Sequence, residues 1–385
     1  MRDTYYSNEE WELFLQHAKD KETPFLLVNL GIIRRKFEQM LKLFPEAKIY
    51  YAVKANPAAE VVSMLNEMGS NFDIASIYEL NKVLSLGVTP EKISYGNTIK
   101  KAEHIRYFYE KGVRMFATDS EADLRNIAFT APGSRVFFRV LVESMTTADW
   151  SLSRKFGCQP DMVYDLAVLA QKLGLEPWGI SFHVGSQQRE IGAWDAALAQ
   201  VKYIFSLLEE NEDIHLKMIN LGGGFPANYV KRTNEIEMYS DEIHRFLDED
   251  FGDNMPTIIL EPGRSLVADS GLLVSEVVLI SRKSRTALNR WVYTDVGKFS
   301  GLIETLEESI KFPIYTEKTG ITEECIIAGP TCDSQDIMYE VNKYPLPLSL
   351  SIGDRLYWFT TGAYTTSYSS IEFNGFPPLQ TYFFE

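Results

Sequence analysis

The sequence predicts an α/β fold: an eight-fold (β/α) barrel of the TIM type with a second, mostly β C-terminal domain. Three observations carry this. Eight short runs rich in β-branched and aromatic residues recur up to about residue 264, the first four starting about 22 residues apart. That interval holds one strand, one helix and two turns. Helical periodicity fills the gaps, and after about residue 265 it becomes sparse while turn-punctuated β runs continue.

In chain order the runs are KIYYAVKAN (48–56), NFDIAS (71–76), KISYGNT (92–98), RMFATDS (114–120), RVFFRVLV (135–142), GISFHVGS (179–186), KMINLGGG (217–224) and TIILEPGR (257–264). Between them, PAAEVVSMLNEMG, SIYELNKVLSLG and KAEHIRYFYEKG place apolar residues at i, i+3 and i+4 and close on glycine, a C-cap signal. SEADLRNIAF opens on a serine N-cap with acids in its first turn. QPDMVYDLAVLAQKLG and AWDAALAQVKYIFSLLEEN are longer and amphipathic. Repeated strand–helix alternation argues for a parallel sheet covered by helices, and eight strands allow closure. An open doubly wound sheet is the runner-up, weakened by the absence of GxGxxG. The later runs SGLLVSEVVLISRK, RWVYTDVG, ECIIAG, DRLYWFTTGAYT and LQTYFFE read as antiparallel strands, with one short helical stretch around GLIETLEES. The expected domains are a barrel over 25–264 and a β-sandwich or barrel domain from 1–24 and 265–385.

Composition narrows the function classes. The chain has 385 residues, 45% hydrophobic and 24% charged, with a net charge of −15. Phosphate backbones and anionic membranes repel such a surface, so nucleic-acid and membrane partners are not expected. The three cysteines, Cys158, Cys325 and Cys332, have no zinc spacing, and the five histidines show no HxxxH or HExxH pairing. Free thiols in a reducing compartment and no metal are expected. The polar N-terminus MRDTYYSNEEWE is unlike a signal peptide. A cytoplasmic location is the default expectation.

Barrel enzymes build their active sites where the strands end. There the sequence sets Lys54, Asp73, Asn97, Arg139, His183 with Ser186, Gly222–Gly224, and Glu261 with Arg264. Each alone has an ordinary explanation; the complementary set is harder to dismiss. Lys54 sits inside an apolar strand, YYAVKANP, where a lysine must pair, lower its pKa or form a covalent bond. A Schiff base with an aldehyde cofactor is one such bond, and an ion pair with Asp73 or Glu79 is the structural alternative. LGGGFP offers bare backbone N–H groups to an anion, with Ser186 and Arg264 as further donors. Glu261 of EPGR suits a protonated pyridine nitrogen. His183 of FHVGS offers a flat ring for stacking, or is a satisfied core histidine.

YAVKAN, FDIAS, FHVGS, GGGFP, EPGR, GPTCD and GAYT occur in this order. The set resembles the fold-type III, pyridoxal-phosphate-dependent basic amino acid decarboxylases, ornithine and lysine/ornithine decarboxylases among them, from about Pro24 to Phe384. The resemblance implies an alanine-racemase-like barrel-plus-β architecture and pyridoxal 5′-phosphate as cofactor. It implies that Lys54 holds the cofactor, Glu261 pairs with its ring nitrogen and His183 stacks on its ring. Ser186, Gly222, Gly223, Gly224, Arg264 and Tyr364 of GAYT would bind the phosphate, with Asp73 and Arg139 beside the Lys54 linkage. The GPTCD loop of one subunit would complete the other's site in a homodimer. Cys332 would then act as proton donor, and Asp333, Glu307 and Phe373 would contact the substrate. Asp336 would pair with Lys155 of the other subunit.

The implied activity is decarboxylation of L-ornithine, and of L-lysine, to putrescine and cadaverine in polyamine biosynthesis. One departure bears on the substrate. Ornithine-specific members present an aspartate where GKFSGLIETLEESIKFP has Glu307, one methylene longer, worth roughly 1–3 kcal/mol in discrimination. Glu304 and Glu308 beside it have the ordinary reading of solvating a helix. The alternatives are a racemase of the same fold, which GPTCDSQD disfavours, a non-catalytic regulatory homologue, and a specialised decarboxylase of another amine-bearing amino acid.

Overall fold

The computed structural model describes residues 2–142, 148–150 and 155–385. The chain divides into two compact units, one of residues 37–226 and 234–263, the other of 1–36, 227–233 and 264–385.

The first unit is a closed barrel of eight parallel strands. Ala47–Ala52, Asn71–Ile74, Ile93–Tyr95, Met115–Thr118, Arg135–Arg139, Glu176–Ser181, Met218–Asn220 and Thr257–Leu260 follow one another round the wall. The last returns to the first with Ile259 opposite Lys48. Helices lie between the strands at Ala59–Glu67, Ile77–Ser85, Ala102–Glu110, Glu121–Thr130, Pro160–Lys172, Gly192–Glu212 and Ile236–Phe251. The strands read as short β-branched and aromatic runs because a parallel wall is covered on both faces. Tyr50, Ala117, Phe137, Met218 and Ile259, from five different strands, pack as one buried cluster.

The first barrel strand is shorter than the run that predicts it. It stops at Ala52, and Val53–Ala55 forms a 3-10 turn. The Tyr51 hydroxyl donates to Asn56 O at 2.9 Å and closes that turn from below. The sixth strand likewise ends at Ser181, before His183. Both shortenings move a chemistry-bearing side chain out of the wall and onto the loop above it.

The second unit carries one eight-stranded sheet: Ile314–Tyr315, Arg355–Phe359, Gly271–Ser281, Arg290–Thr294, Thr322–Ala328 and Ile337–Pro347 in that order, with Phe25–Asn29 and Gln380–Phe384 off that path. Most pairs are antiparallel, but Arg290–Thr294 lies parallel to Thr322–Ala328, and Phe25–Asn29 parallel to Gln380–Phe384. The expected start of the barrel at residue 25 is corrected here. Phe25–Asn29 pairs antiparallel with Gly271–Ser281, and the barrel unit begins at Phe37. The sheet buries Trp11 and Phe14 of the capped helix Asn8–Ala18 with Phe25, Leu27, Tyr357, Phe359 and Phe384. Among the described residues no helix is long and apolar enough to cross a membrane.

Gly179 tests the barrel register. It sits opposite Met218, and a Cβ there would fall on the Met218 carbonyl oxygen. Overpacking of this kind costs about 1–3 kcal/mol, so Gly179→Ala should lower the thermal midpoint by about 2–10 °C. An unchanged midpoint in a calorimetric scan would contradict the close approach of these two strands.

Candidate active site

In the barrel unit the strand ends bring together most of the residues singled out from sequence. Lys54 stands on the turn after the first strand, its side chain 53% exposed. Burial therefore does not force its chemistry, contrary to the reading of YYAVKANP as strand throughout. Its place at the mouth does the work. Lys54 Nζ lies 3.9 Å from Asp73 Oδ2, and Asp73 is only 6% exposed. Burial, then the charge of Glu261, pushes the Asp73 carboxyl well up, against the pull of Lys54 and Arg139. Asp73 Oδ1 has no hydrogen-bond partner among the described residues. It faces Gly96, where any Cβ would land on the carboxylate.

Glu79 accepts the Ala75 N–H at 2.7 Å from the helix that Ser76 caps, and its carboxyl is raised chiefly by burial. Asn97 has a structural role: it donates to Ala75 O at 3.2 Å and accepts from Ile99 N at 3.0 Å. Arg139 ends its strand with the guanidinium 5.0 Å from the Phe156 ring centre. Burial lowers its pKa, and Glu261, Asp73 and Asp119 counter that only in part.

His183 Nδ1 accepts the Gly185 N–H at 3.0 Å, which leaves the proton on Nε2. Burial, aided by the Arg139 and Lys54 charges, lowers its pKa to about 3. The ring is neutral at any ordinary pH. Ser186 opens a short strand, Ser186–Gln188, paired with Ala148–Trp150.

Gly222–Gly224 follow the seventh strand because nothing larger fits. Gly222 and Gly224 have φ of 65° and 94°, the left-handed region. Side chains at the three positions would strike the carbonyls of Phe182, Glu261 and Gly185. Gly222 N–H is taken by Asn220 Oδ1 at 2.9 Å. The N–H groups of Gly223 and Gly224 have no acceptor among the described residues. Asn220 also donates its side-chain amide to Glu261 Oε1. Sequence reasoning missed Asn220. Its signal was there, a polar residue closing the apolar run MIN beside the glycines.

The β unit holds the other expected residues. Arg264 is 4% exposed and Glu304 5%. Arg264 Nη1 donates to Glu304 Oε2 at 2.6 Å and to the Tyr229 hydroxyl at 2.8 Å, and Nη2 reaches Glu304 Oε1. Its guanidinium lies 4.9 Å from the Tyr364 ring centre. Burial disfavours the Arg264 charge, and Glu304 more than offsets it. Glu304 is thus a buried counter-ion rather than an acid solvating a helix.

Cys332 is an exposed free thiol. Its backbone N–H donates to Asn374 Oδ1 at 2.9 Å, next to Phe373, whose ring centre lies 4.9 Å from that of Phe299. Asp333 is partly exposed, its carboxylate accepting Gln335 N at 2.8 Å. Glu307 is exposed at φ 53°, on a break inside the 3-10 stretch Ile303–Glu308 where sequence predicts a regular short helix. The pairing of Asp336 with Lys155 that the resemblance implies lies between two subunits; within one subunit both side chains have other neighbours. Asp336 is 2% exposed, and its carboxylate accepts Lys298 N at 2.8 Å, Thr331 N at 3.1 Å and the Thr331 hydroxyl at 2.7 Å. Lys155 lies 5.0 Å over the Phe156 ring.

The family model "Pyridoxal-dependent decarboxylase, pyridoxal binding domain" matches residues 30–268. The chain is 32% identical to the lysine/ornithine decarboxylase of Selenomonas ruminantium over 369 residues, 96% of this chain and 91% of that one. The lysine/ornithine decarboxylase from Vibrio vulnificus complexed with cadaverine superposes with a TM-score of 0.88 at 27% identity, covering 98% of this chain and 99% of that one. The arginine decarboxylase of Paramecium bursaria Chlorella virus also gives 0.88, at 26% identity, covering 98% and 100%.

The barrel residues fit a phosphorylated pyridine aldehyde. Two backbone N–H groups without acceptors suit a phosphate, an accessible amine suits the aldehyde, and a neutral imidazole suits the ring.

The buried neutral histidine has a consequence for stability. Its folded pKa of about 3 lies below the ordinary 6.5, so the unfolded chain binds the extra proton between those values. The contribution is complete above pH 6.5 and is lost as pH falls towards 3. His183→Gln should therefore lose stability less steeply than the parent between pH 7 and pH 4, read from urea midpoints. Equal slopes would contradict a buried neutral ring.

Proposed function

The chain belongs to the pyridoxal-dependent decarboxylases, amino acid decarboxylases with pyridoxal 5′-phosphate as cofactor, and on that premise we propose that its substrate is L-ornithine, with L-lysine also accepted, and its products putrescine and cadaverine for polyamine synthesis. The observation that carries the reading is an accessible Lys54 amine 3.9 Å from a buried Asp73 at the end of the first barrel strand. An amine so placed is open to the cofactor aldehyde yet has a negative neighbour that favours a positively charged linkage. Its pairing at rest and the cofactor's attachment are compatible.

When bound, pyridoxal phosphate supplies a sink for the electron pair released as the substrate carboxylate leaves. The chain's residues set the conditions. Gly223 and Gly224 offer backbone N–H groups to the phosphate; the resemblance assigns Ser186, Gly222, Arg264 and Tyr364 the same role, but the Gly222 N–H is already taken by Asn220 Oδ1. Glu261, oriented by the Asn220 amide, holds a proton on the pyridine nitrogen. His183 presents an uncharged ring face, its Nδ1 already used by Gly185 N–H. Arg139 and Asp73 balance charge beside Lys54. Cys332 Sγ delivers a proton to the substrate α-carbon, where an ordered donor avoids the wasteful alternative protonation.

The distal ammonium of the substrate is received by Asp333 and Glu307, with Phe373 alongside the aliphatic chain. Support comes from their exposure without ion-pair partners among the described residues, while neighbouring acids are committed elsewhere. The protein acts as a homodimer in which the Cys332 loop of one subunit completes the other's site. The exposed thiol and the exposed Ile371, 78% accessible, are consistent with a surface that a second copy covers.

Three tests follow. A decarboxylation assay with ornithine, lysine, arginine and diaminopimelate side by side should give putrescine from ornithine and a smaller yield of cadaverine from lysine. Turnover of arginine or diaminopimelate alone would contradict the substrate assignment. Lys54→Ala should lose the visible absorbance of bound cofactor together with activity, and carbon dioxide release at the parent rate would sink the role of that lysine. Mixing inactive Lys54→Ala and Cys332→Ala chains should restore activity in hybrid dimers, since one of their two sites is intact; no recovery would count against shared sites.

A further inference from the structure

The acids around Glu307 do not behave alike. Glu308 is the next residue, and both are in the left-handed region at φ 53° and 54°. Two consecutive non-glycine residues there cost about 1–2 kcal/mol each, so something must hold them. The Glu308 carboxylate accepts three consecutive backbone N–H groups, those of Glu340, Val341 and Asn342, each at 2.7 Å. In a regular strand consecutive N–H groups point to opposite sides. They converge here because the strand Ile337–Pro347 bulges: between the pairs Ile327–Tyr339 and Cys325–Tyr344 it carries more residues than its partner. A bulge frees ladder donors, and converging N–H groups form a nest for an anion. Glu308 is that anion. Partial burial pushes its carboxyl up, but the three backbone donors outweigh burial and hold it below the ordinary glutamate range.

A second carboxylate makes the reverse connection. Asp336 belongs to the loop that carries Cys332 and Asp333, and it grips Lys298 N, at the start of the segment that leads to Glu307. It also holds Thr331, next to Cys332, through N–H and hydroxyl. Gly297 and Gly329 leave the room it needs, since a Cβ on either would fall on its carboxylate. Glu308 thus reaches from residues 297–308 to 340–342, and Asp336 reaches from the 329–336 loop back to 298.

We propose that Glu308 and Asp336 form a reciprocal carboxylate staple that fixes Glu307 relative to Cys332 and Asp333, with Glu308 the positioning residue that sets substrate chain-length selectivity. Removing the Glu308 carboxylate frees the bulge and lets the Glu307 turn relax out of its left-handed conformation. The spacing between Glu307 and Asp333 then becomes adjustable, and discrimination between side chains differing by one methylene weakens. This selectivity claim rests on the reading of the protein as a basic amino acid decarboxylase.

The experiment compares the holoenzyme with Glu308→Ala and Glu308→Gln by amide hydrogen exchange and by kcat/KM for ornithine and lysine. In Glu308→Ala, exchange should rise about tenfold or more at 340–342 and also across 331–336, because charged hydrogen bonds are lost at one end of a coupled pair. The ornithine-to-lysine selectivity ratio should fall about fivefold or more towards unity, mostly through KM, with the cofactor's visible absorbance unchanged. Glu308→Gln keeps one acceptor oxygen and should lie between; it carries the test if the alanine variant does not fold. Exchange confined to 340–342 would overturn the staple. Both substrates falling together at a constant ratio would overturn the selectivity role, since loss of folded protein alone acts that way. A parent enzyme that turns over none of the basic amino acids would defeat the substrate reading, while the exchange measurement still decides the staple.

Discussion

A half-exposed lysine amine 3.9 Å from an almost fully buried carboxylate organises the barrel mouth. The barrel makes this arrangement possible. Parallel strands all end on one side, so residues far apart in sequence, from 54 to 261, share one ring of loops. Asp73 is the demanding member. It is desolvated, one of its oxygens has no partner among the described residues, and the nearby Glu261 makes its charge harder to keep. Lys54 and Arg139 are what favour its ionised form. The neutrality of His183 follows from the same field, since burial and two nearby cations leave no room for a third positive charge.

The β unit solves a similar problem by different means. An acid-rich chain buries some carboxylates wholly, such as Glu304 and Asp336, and others in part, such as Glu308, and these three are satisfied internally. Glu304 is neutralised by Arg264, Asp336 by backbone N–H groups and a hydroxyl, and Glu308 by a nest of backbone donors. Such pairings contribute little net stability when the desolvation of both partners is counted. Their effect is to fix geometry, while Glu307 stays exposed and Asp333 partly exposed beside them.

The sequence made some of this legible and not the rest. The eight barrel strands were visible because each is a short apolar run bounded by turn residues and separated by helical periodicity. Lys54, Asp73, Arg139, His183 and Glu261 were visible because strand ends are where a barrel displays chemistry. The shortened first strand was not, because a 3-10 turn continues the same apolar pattern. Phe25–Asn29 read as a barrel element because FLLVN does not reveal which sheet it joins; its partners lie more than two hundred residues away. Ile337–Pro347 was missed because its bulge breaks the alternation and two prolines dilute it. Glu304 and Glu308 looked alike in ETLEE, yet one is buried against an arginine and the other caps a bulge. Spacing along a helix did not separate them because the helix itself breaks at positive φ.

The central claim is that the Lys54 amine carries the cofactor at the barrel mouth. Borohydride reduction of the protein loaded with pyridoxal phosphate, followed by peptide mass mapping, addresses it without reference to any substrate. The account expects the reduced pyridoxyl group on the peptide containing Lys54 and on no other lysine in comparable yield. A label on a different lysine, or no stable label at all, would contradict it.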